Sequence, residues 1–237
     1  MTKEKTEIDG IPAVLWGNKS DSMFIAVHGS FSNKEDTVIA IFADEAVSRG
    51  YQVLSFDLPE HGERKDTPTA CSVQNCVHDL DIIMRFAQCQ SKNISVFACS
   101  MGAYFSLLSY ANLPLKQTFF LSPVTDMERI IRSMMQTFNI SEERLESERE
   151  IPTPAGQTLY WDYFHYVVTH PITSWSSPTS ILYGSLDFLC EEAVVRAFAK
   201  TFGCELKIMG NGEHYFHTAE QLAFFTQWLK DALVSPL

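Results

Sequence analysis

Ser100 lies in Ala98-Cys99-Ser100-Met101-Gly102, between two apolar runs of different character. Before it, Asn93-Ile94-Ser95-Val96-Phe97 is β-branched and aromatic and reads as a buried strand. After it, Ala103-Tyr104-Phe105-Ser106-Leu107-Leu108-Ser109-Tyr110 is long and apolar enough for a buried helix. A turn that sharp forces the serine backbone into a strained conformation. Small residues two places before and two after it avoid clashes with the flanking elements. A serine hydroxyl is a poor nucleophile until a base takes its proton, and the base needs an acid to orient it. Carboxylates and imidazoles stand after later strands: Asp126, Asp187 in Tyr183-Gly184-Ser185-Leu186-Asp187, and His214 and His217 after Gly210-Asn211-Gly212-Glu213.

With alanine in the first small position, the pentapeptide is a G-x-S-x-G nucleophile elbow, and it resembles that of the α/β-hydrolase superfamily. The resemblance implies the chain order serine, acid, histidine. That makes Ser100 the nucleophile, Asp187 the acid and His214 the base, with Asp126 and His217 as the rival acid and base. It also implies two backbone N–H donors for an oxyanion, Met101 after the serine and Ser30 after His28-Gly29. His28 then reads as a buried structural histidine. Asp57-Leu58-Pro59-Glu60-His61-Gly62 is similar to the family's D-x-x-G-x-G loop, with Glu60 in place of the first glycine; the role is structural, and His61 is not a catalyst. Cys99 reads as packed, because only Ser100 has small residues at both flanks. The structural alternatives are a serine turn on a fold without activity, and an Asp187 that caps the helix beginning near Glu191.

No metal or organic cofactor is expected. No C-x-x-C pair exists, Cys71 and Cys76 have no matching second pair, and His214 and His217 with Glu213 or Glu220 fit no ligand spacing. The net charge of −11 argues against nucleic acid or an anionic membrane surface as partner, since both call for a basic face. The charged start, Met1 to Glu7, carries no secretory signal, and no apolar stretch is long enough to span a bilayer. The six cysteines then read as reduced thiols, and the expected location is cytoplasmic.

The elements that must position these residues follow from the apolar pattern. A hairpin about Asp9-Gly10 opens the chain, with Pro12 suited to an edge strand. Met23–Val27, Tyr51–Phe56, Asn93–Phe97, Gln117–Pro123, Thr179–Gly184 and Glu205–Met209 read as strands. Helical spacing falls at 35–48, 73–89, 191–202 and 218–233. Strands alternating with helices imply a mostly parallel central sheet with helices on both faces, the α/β-hydrolase fold that the resemblance also implies. Residues 1–123 and 178–237 form that core. Residues 124–177 break the alternation and read as a small helical lid, with a helix over 127–138, an acidic run over 141–150 and a turn at 152–156. The lid's aromatic stretch supplies Tyr160, Trp161, Tyr163 and Phe164, which with Phe31 are candidate pocket residues. The implied activity is that of a serine hydrolase, a carboxylesterase or thioesterase acting on a small, largely apolar acyl substrate. The alternatives are a peptidase or a carbon–carbon hydrolase on the same triad, or a ligand-binding protein on this fold.

Overall fold

The computed structural model describes residues 2–236. The chain divides into two compact units: one holds the chain up to Thr125 and again from Ser174, and the other is Asp126–Thr173.

The larger unit opens with β1 (Lys3–Ile8) and β2 (Ile11–Trp16), an antiparallel hairpin. Asp9 and Gly10 turn it with φ of 49° and 80°, the left-handed pair that a tight two-residue hairpin needs. Then come β3 (Ser22–Val27), α1 (Thr37–Ser48), β4 (Gln52–Phe56), α2 (Val73–Gln90), β5 (Asn93–Cys99), α3 (Met101–Ser109) and β6 (Thr118–Leu121). The smaller unit contributes α4 (Met127–Thr137), α5 (Glu142–Glu148), β7 (Glu150–Pro152), β8 (Thr158–Tyr160) and α6 (Trp161–Thr169). The larger unit resumes with β9 (Thr179–Gly184), α7 (Glu192–Phe202), β10 (Glu205–Met209) and α8 (Ala219–Ala232).

Its eight-stranded sheet runs β1-β2-β4-β3-β5-β6-β9-β10, parallel from β4 onward. β2 pairs antiparallel with both β1 and β4, so it is not the edge that Pro12 suggested. Proline is tolerated there because the ladder with β4 begins one residue later, at Ala13↔Phe56. The Pro12 carbonyl still accepts the Asp57 N–H at 3.0 Å.

Successive strand residues point to opposite faces. Phe24 and Ala26 of β3, Phe97 and Cys99 of β5, and Phe119 and Leu121 of β6 therefore share one face, buried under α1 and α8. Phe42 of α1 stacks on Phe97 with centroids 4.1 Å apart, and Trp228 of α8 meets Phe119 edge-on at 5.5 Å. α2 and α3 pack against each other over the sheet's other face, where the buried Tyr110 hydroxyl donates to the Leu80 carbonyl at 2.9 Å.

The strand order reverses between β3 and β5: β4 was added on one side of β3, and β5, β6, β9 and β10 on the other. In such sheets the crevice for ligands opens outside the carboxyl ends of the strands at the reversal. His28-Gly29 leaves β3 there, directly after Val27, and Ser100 leaves β5 one residue beyond Ala98, the partner of Val27. The approach is close. A Cβ on Gly29 would lie 3.1 Å from the Ser100 Cβ, and one on Gly102 would lie 2.4 Å from the His28 carbonyl oxygen. The small residue required at position 102 is thus required by the end of β3. Ser100 itself has φ 49° and ψ −119°, a region that costs a non-glycine residue about 1–3 kcal/mol. The turn is tied down on both sides: the Ser100 N–H donates to the Leu121 carbonyl, and its own carbonyl accepts from Ala103 and Val124, each at 3.1 Å.

His28 locks the neighbouring loop. Its Nε2 accepts the Leu58 N–H at 3.0 Å, which leaves the proton on Nδ1, 2.7 Å from the Gly29 carbonyl. The next anchor is Asp57, fully buried. Its carboxylate accepts the Lys34 N–H and the Glu63 N–H, both at 2.9 Å, and the Lys34 ammonium at 2.5 Å. A side chain at Gly62, where φ is 53°, would fall 2.2 Å from the Asp57 carboxylate. Glu60 occupies its glycine-like position with φ 62°.

The Asp126–Thr173 unit is narrower than the expected 124–177. Val124 belongs to the elbow through its bond to Ser100, while Trp175 donates to Thr179 Oγ1 at 2.7 Å and packs on Phe120. It is also not purely helical, since β7 and β8 pair as a short antiparallel hairpin closed by the Thr153 N–H to the Gln157 carbonyl at 2.8 Å. α4 buries Met127, Ile131 and Met135, one per turn. Among the described residues, no helix is long and apolar enough to cross a membrane.

Two outcomes follow. At position 100 the usual order of alanine and glycine inverts: Ser100→Gly melts above Ser100→Ala, by about 1 kcal/mol, because glycine accepts the positive φ without strain. Thermal melts of the two variants check this, and a more stable alanine variant would contradict the strain. Burial drops the His28 pKa from 6.5 to about 4, opposed by its bond to the Gly29 carbonyl. The unfolded chain therefore takes up a proton that the folded chain refuses. His28 contributes stability that is complete above about pH 6.5 and is lost as the pH falls toward 4, up to about 3 kcal/mol. Denaturant titrations across that window should give a shallower pH slope for His28→Gln than for wild type; equal slopes would contradict it.

Candidate active site

The acid and histidine loops are joined by a backbone contact that glycine permits. A Cβ on Gly184, at the end of β9, would fall 2.5 Å from the Gly212 carbonyl carbon. Three further bonds close the junction: Leu186 N–H to the Gly212 carbonyl at 2.8 Å, Ser185 N–H to Met209 at 3.0 Å, and Asn211 N–H to Ser185 Oγ at 2.9 Å. Gly184 is a positioning residue that the sequence presents only as the end of a strand.

Across this junction the Asp187 Oδ2 lies 2.6 Å from His214 Nδ1, and His214 Nε2 lies 2.8 Å from Ser100 Oγ. The Asp187 side chain is 0 % exposed and that of His214 only 11 %. The other Asp187 oxygen, Oδ1, accepts the Leu189 and Cys190 N–H groups, each at 2.9 Å. These bonds hold the carboxylate in one rotamer. Asp187 therefore caps its own turn and does not cap α7, whose N-cap is Glu191. The Tyr183 hydroxyl supports the same turn by donating to the Cys190 carbonyl at 2.6 Å. A histidine whose Nδ1 faces a carboxylate presents Nε2 as a base, and here Nε2 faces a hydroxyl.

The rivals are placed elsewhere. Asp126 caps α4, with Oδ1 accepting the Arg129 N–H at 2.9 Å. His217 is exposed, stacks on Tyr215 and pairs with Glu213 at 3.3 Å. The Cys99 side chain points into the aromatic core, and burial pushes its thiol far up, so it is held as an unreactive S–H. Met101 opens α3, so its N–H is among the first helical N–H groups, which have no intrahelical acceptor. Ser30 is exposed just past Gly29.

The pocket candidates differ among themselves. Phe31 has φ 57° and is 90 % exposed on the larger unit. Tyr160, Trp161, Tyr163 and Phe164 belong to the smaller one. There Phe164 is buried as packing, under the Arg132 guanidinium at 5.0 Å and beside Trp161 at 6.0 Å. The sequence reading missed Leu186, Phe188 and Leu189, large exposed apolar side chains that flank Asp187, and Tyr215, which follows His214. Their adjacency to the acid and the histidine was the available signal. Among the described residues the one grouping of metal-capable donors is Asp187, Cys190 and His214, within 4.8 Å of one another. Two of these are already hydrogen-bonded to each other.

No protein-family model matches the sequence, and neither does any curated protein. Solved structures do match. The esterase Est1E from Butyrivibrio proteoclasticus, solved with ferulic acid bound, is 19 % identical with a TM-score of 0.77 over 96 % of each chain. Mouse alpha/beta hydrolase domain-containing protein 10 is 12 % identical with a TM-score of 0.74 over 98 % of each chain. An esterase of Pyrococcus furiosus is 19 % identical with a TM-score of 0.67, over 97 % of this chain and 87 % of its own. The strand order, the reversal between β3 and β5, and a likeness that runs nearly end to end show that this chain has the α/β-hydrolase fold.

Proposed function

We propose that the protein is a serine hydrolase that cleaves esters or thioesters of small, largely apolar acids through an acyl-enzyme. The observation that carries this reading is the unbroken chain Ser100 Oγ–His214 Nε2, His214 Nδ1–Asp187 Oδ2, at 2.8 and 2.6 Å, with the carboxylate buried. Ser100 attacks the acyl carbonyl carbon while His214 Nε2 takes the hydroxyl proton. Asp187 holds the ring in that tautomer and stabilises the imidazolium as it forms. The Met101 and Ser30 N–H groups take the developing oxyanion. The tetrahedral intermediate collapses, His214 passes its proton to the departing alkoxide or thiolate, and the acyl group stays on Ser100. Water, deprotonated by the same imidazole, then releases the acid. No step calls for a metal or an organic cofactor.

The substrate class rests on the apolar side chains beside these loops, Phe31, Leu186, Phe188, Leu189 and Tyr215, which suit an apolar or aromatic acyl group. The ferulic acid held by Est1E is an acid of that kind. The Asp126–Thr173 unit is inserted directly after the strand that follows the elbow. We assign it the role of a cap. The partner is a small molecule. Six free thiols fit a reducing, cytoplasmic setting.

A fluorophosphonate probe should label the wild type and leave Ser100→Ala unlabelled, and an unreactive wild type would contradict the reading. Within the same assay, Asp187→Asn should lose on the order of 10³-fold or more in kcat on p-nitrophenyl esters, through the wrong imidazole tautomer. Asp126→Asn should keep kcat and lose at most about 1 kcal/mol as a helix cap. The reverse pattern would move the acid to Asp126.

A further inference from the structure

Cys71 and Cys76 straddle the start of α2 in Cys71-Ser72-Val73-Gln74-Asn75-Cys76. Ser72 is the N-cap, and its Oγ accepts the Asn75 N–H at 3.2 Å. That cap puts Cys71 just outside the helix and Cys76 on its fourth residue, the two positions whose side chains meet in a hydrophobic staple. Here both staple residues carry sulfur, and the two Sγ atoms are 3.6 Å apart. Cys76 is fully buried and Cys71 half-buried, so one thiol is reachable from solvent and the other is held behind it.

The surroundings treat the two thiols differently. The Cys71 backbone N–H is fixed by Glu60 Oε2 at 3.0 Å. The neighbouring His61 bonds the Pro59 carbonyl through Nδ1 at 2.8 Å, which leaves Nε2 available to Cys71. The Cys76 hydrogen bond, and after it the His61 ring, pull the Cys71 thiol down to about 6 against burial and the charge of Glu60. Burial and the Cys71 charge push Cys76 up. The His61 pKa is raised, since its partners Cys71 and Pro59 outweigh its burial. The positive end of α2 further favours a thiolate at its N-terminus. The result is a half-exposed Cys71 sulfur favoured toward its thiolate form, with the buried, protonated Cys76 thiol against it.

We propose that Cys71 and Cys76 are a peroxide-reactive dithiol, with Cys71 as the attacking sulfur and Cys76 as the resolving one. The Cys71 thiolate attacks one oxygen of a hydroperoxide. The O–O bond breaks, the sulfur becomes sulfenic acid, and the other oxygen leaves as water or an alcohol after taking a proton. The Cys76 sulfur, giving up its proton, then attacks the Cys71 sulfur. The S–OH bond breaks, hydroxide leaves as water with that proton, and a disulfide remains. The dithiol loses two electrons and two protons, and the peroxide is reduced by two electrons. Closing the 3.6 Å gap to a bond of about 2.05 Å takes about 1.5 Å of sulfur movement. Nothing in this inference depends on the hydrolase reading.

The test uses the reduced wild-type protein, stoichiometric hydrogen peroxide at neutral pH, N-ethylmaleimide quenching and peptide mapping. A Cys71–Cys76 disulfide should build up while Cys89, the exposed thiol, stays alkylatable, with rates at least about tenfold apart. In Cys76→Ser the reaction should stop at a Cys71 sulfenic acid trapped by dimedone. Iodoacetamide alkylation of Cys71 should follow a pH profile centred well below that of Cys89. His61→Asn should shift that profile upward, the other charged groups facing the pair being Glu60 beside Cys71, and Asp79 and Arg64 beside Cys76. Equal oxidation of Cys71 and Cys89 would overturn the proposal. So would an oxidised Cys71 in the wild type with Cys76 still free to alkylate.

Discussion

The structure depends on one close approach, that of the end of β3 to the start of α3. The His28 carbonyl lies where a Cβ at position 102 would be, and Gly29 lies against the Ser100 side chain. Beside those two backbones the chain leaving β5 turns through a positive φ, which Ser100 adopts at 49°. That conformation is costly for serine. It persists because both peptide groups of the turn are hydrogen-bonded to β6 and the residues after it. In that conformation Oγ lies 2.8 Å from His214 Nε2, a group arriving from another loop. The aromatic layer under α1 and α8 and the buried Asp57–Lys34 pair hold β3 and its loop rigid enough for the approach to be kept.

A second backbone approach brings that group. Gly184 against Gly212 lets the loops after β9 and β10 share hydrogen bonds, and these place Asp187 behind His214. Neither loop could hold the imidazole alone. Asp187 is fixed by the N–H groups of its own turn, and His214 is fixed by Asp187. The Ser100–His214–Asp187 arrangement is thus assembled beyond the ends of β5, β10 and β9, with the end of β3 against Ser100, four strands that the parallel topology brings to the same edge of one sheet. Side chains supply the chemistry, while glycines set the distances between them.

Much of this was legible because it rests on local physics. The continuous apolar runs gave the parallel strands, and the small residues around Ser100 gave the elbow. The same small flanks, which Cys99 lacks, marked Cys99 as packed, and its side chain lies in the core. Other features depend on partners distant in sequence. Pro12 resembled an edge residue, since nothing in the sequence near it tells where the β2–β4 ladder starts. β7 and β8 are three residues each, too short to display a period, and they lie between an acidic helix and an aromatic one. Glu60 fills a glycine-like position at positive φ with a carboxylate that also reaches Cys71, a role visible only once the loop and the helix start are side by side. Phe164 read as a pocket residue because aromatic density alone does not separate packing from recognition.

The central claim is that the strained serine forms a covalent bond to substrate. Rapid acid quenching of the wild type during turnover of a p-nitrophenyl ester, followed by peptide mapping, tests it directly. The account predicts a burst of p-nitrophenol and an acyl mass on the peptide that holds Ser100. Turnover of the ester with no acylated peptide, or with the acyl group on another residue, would contradict it.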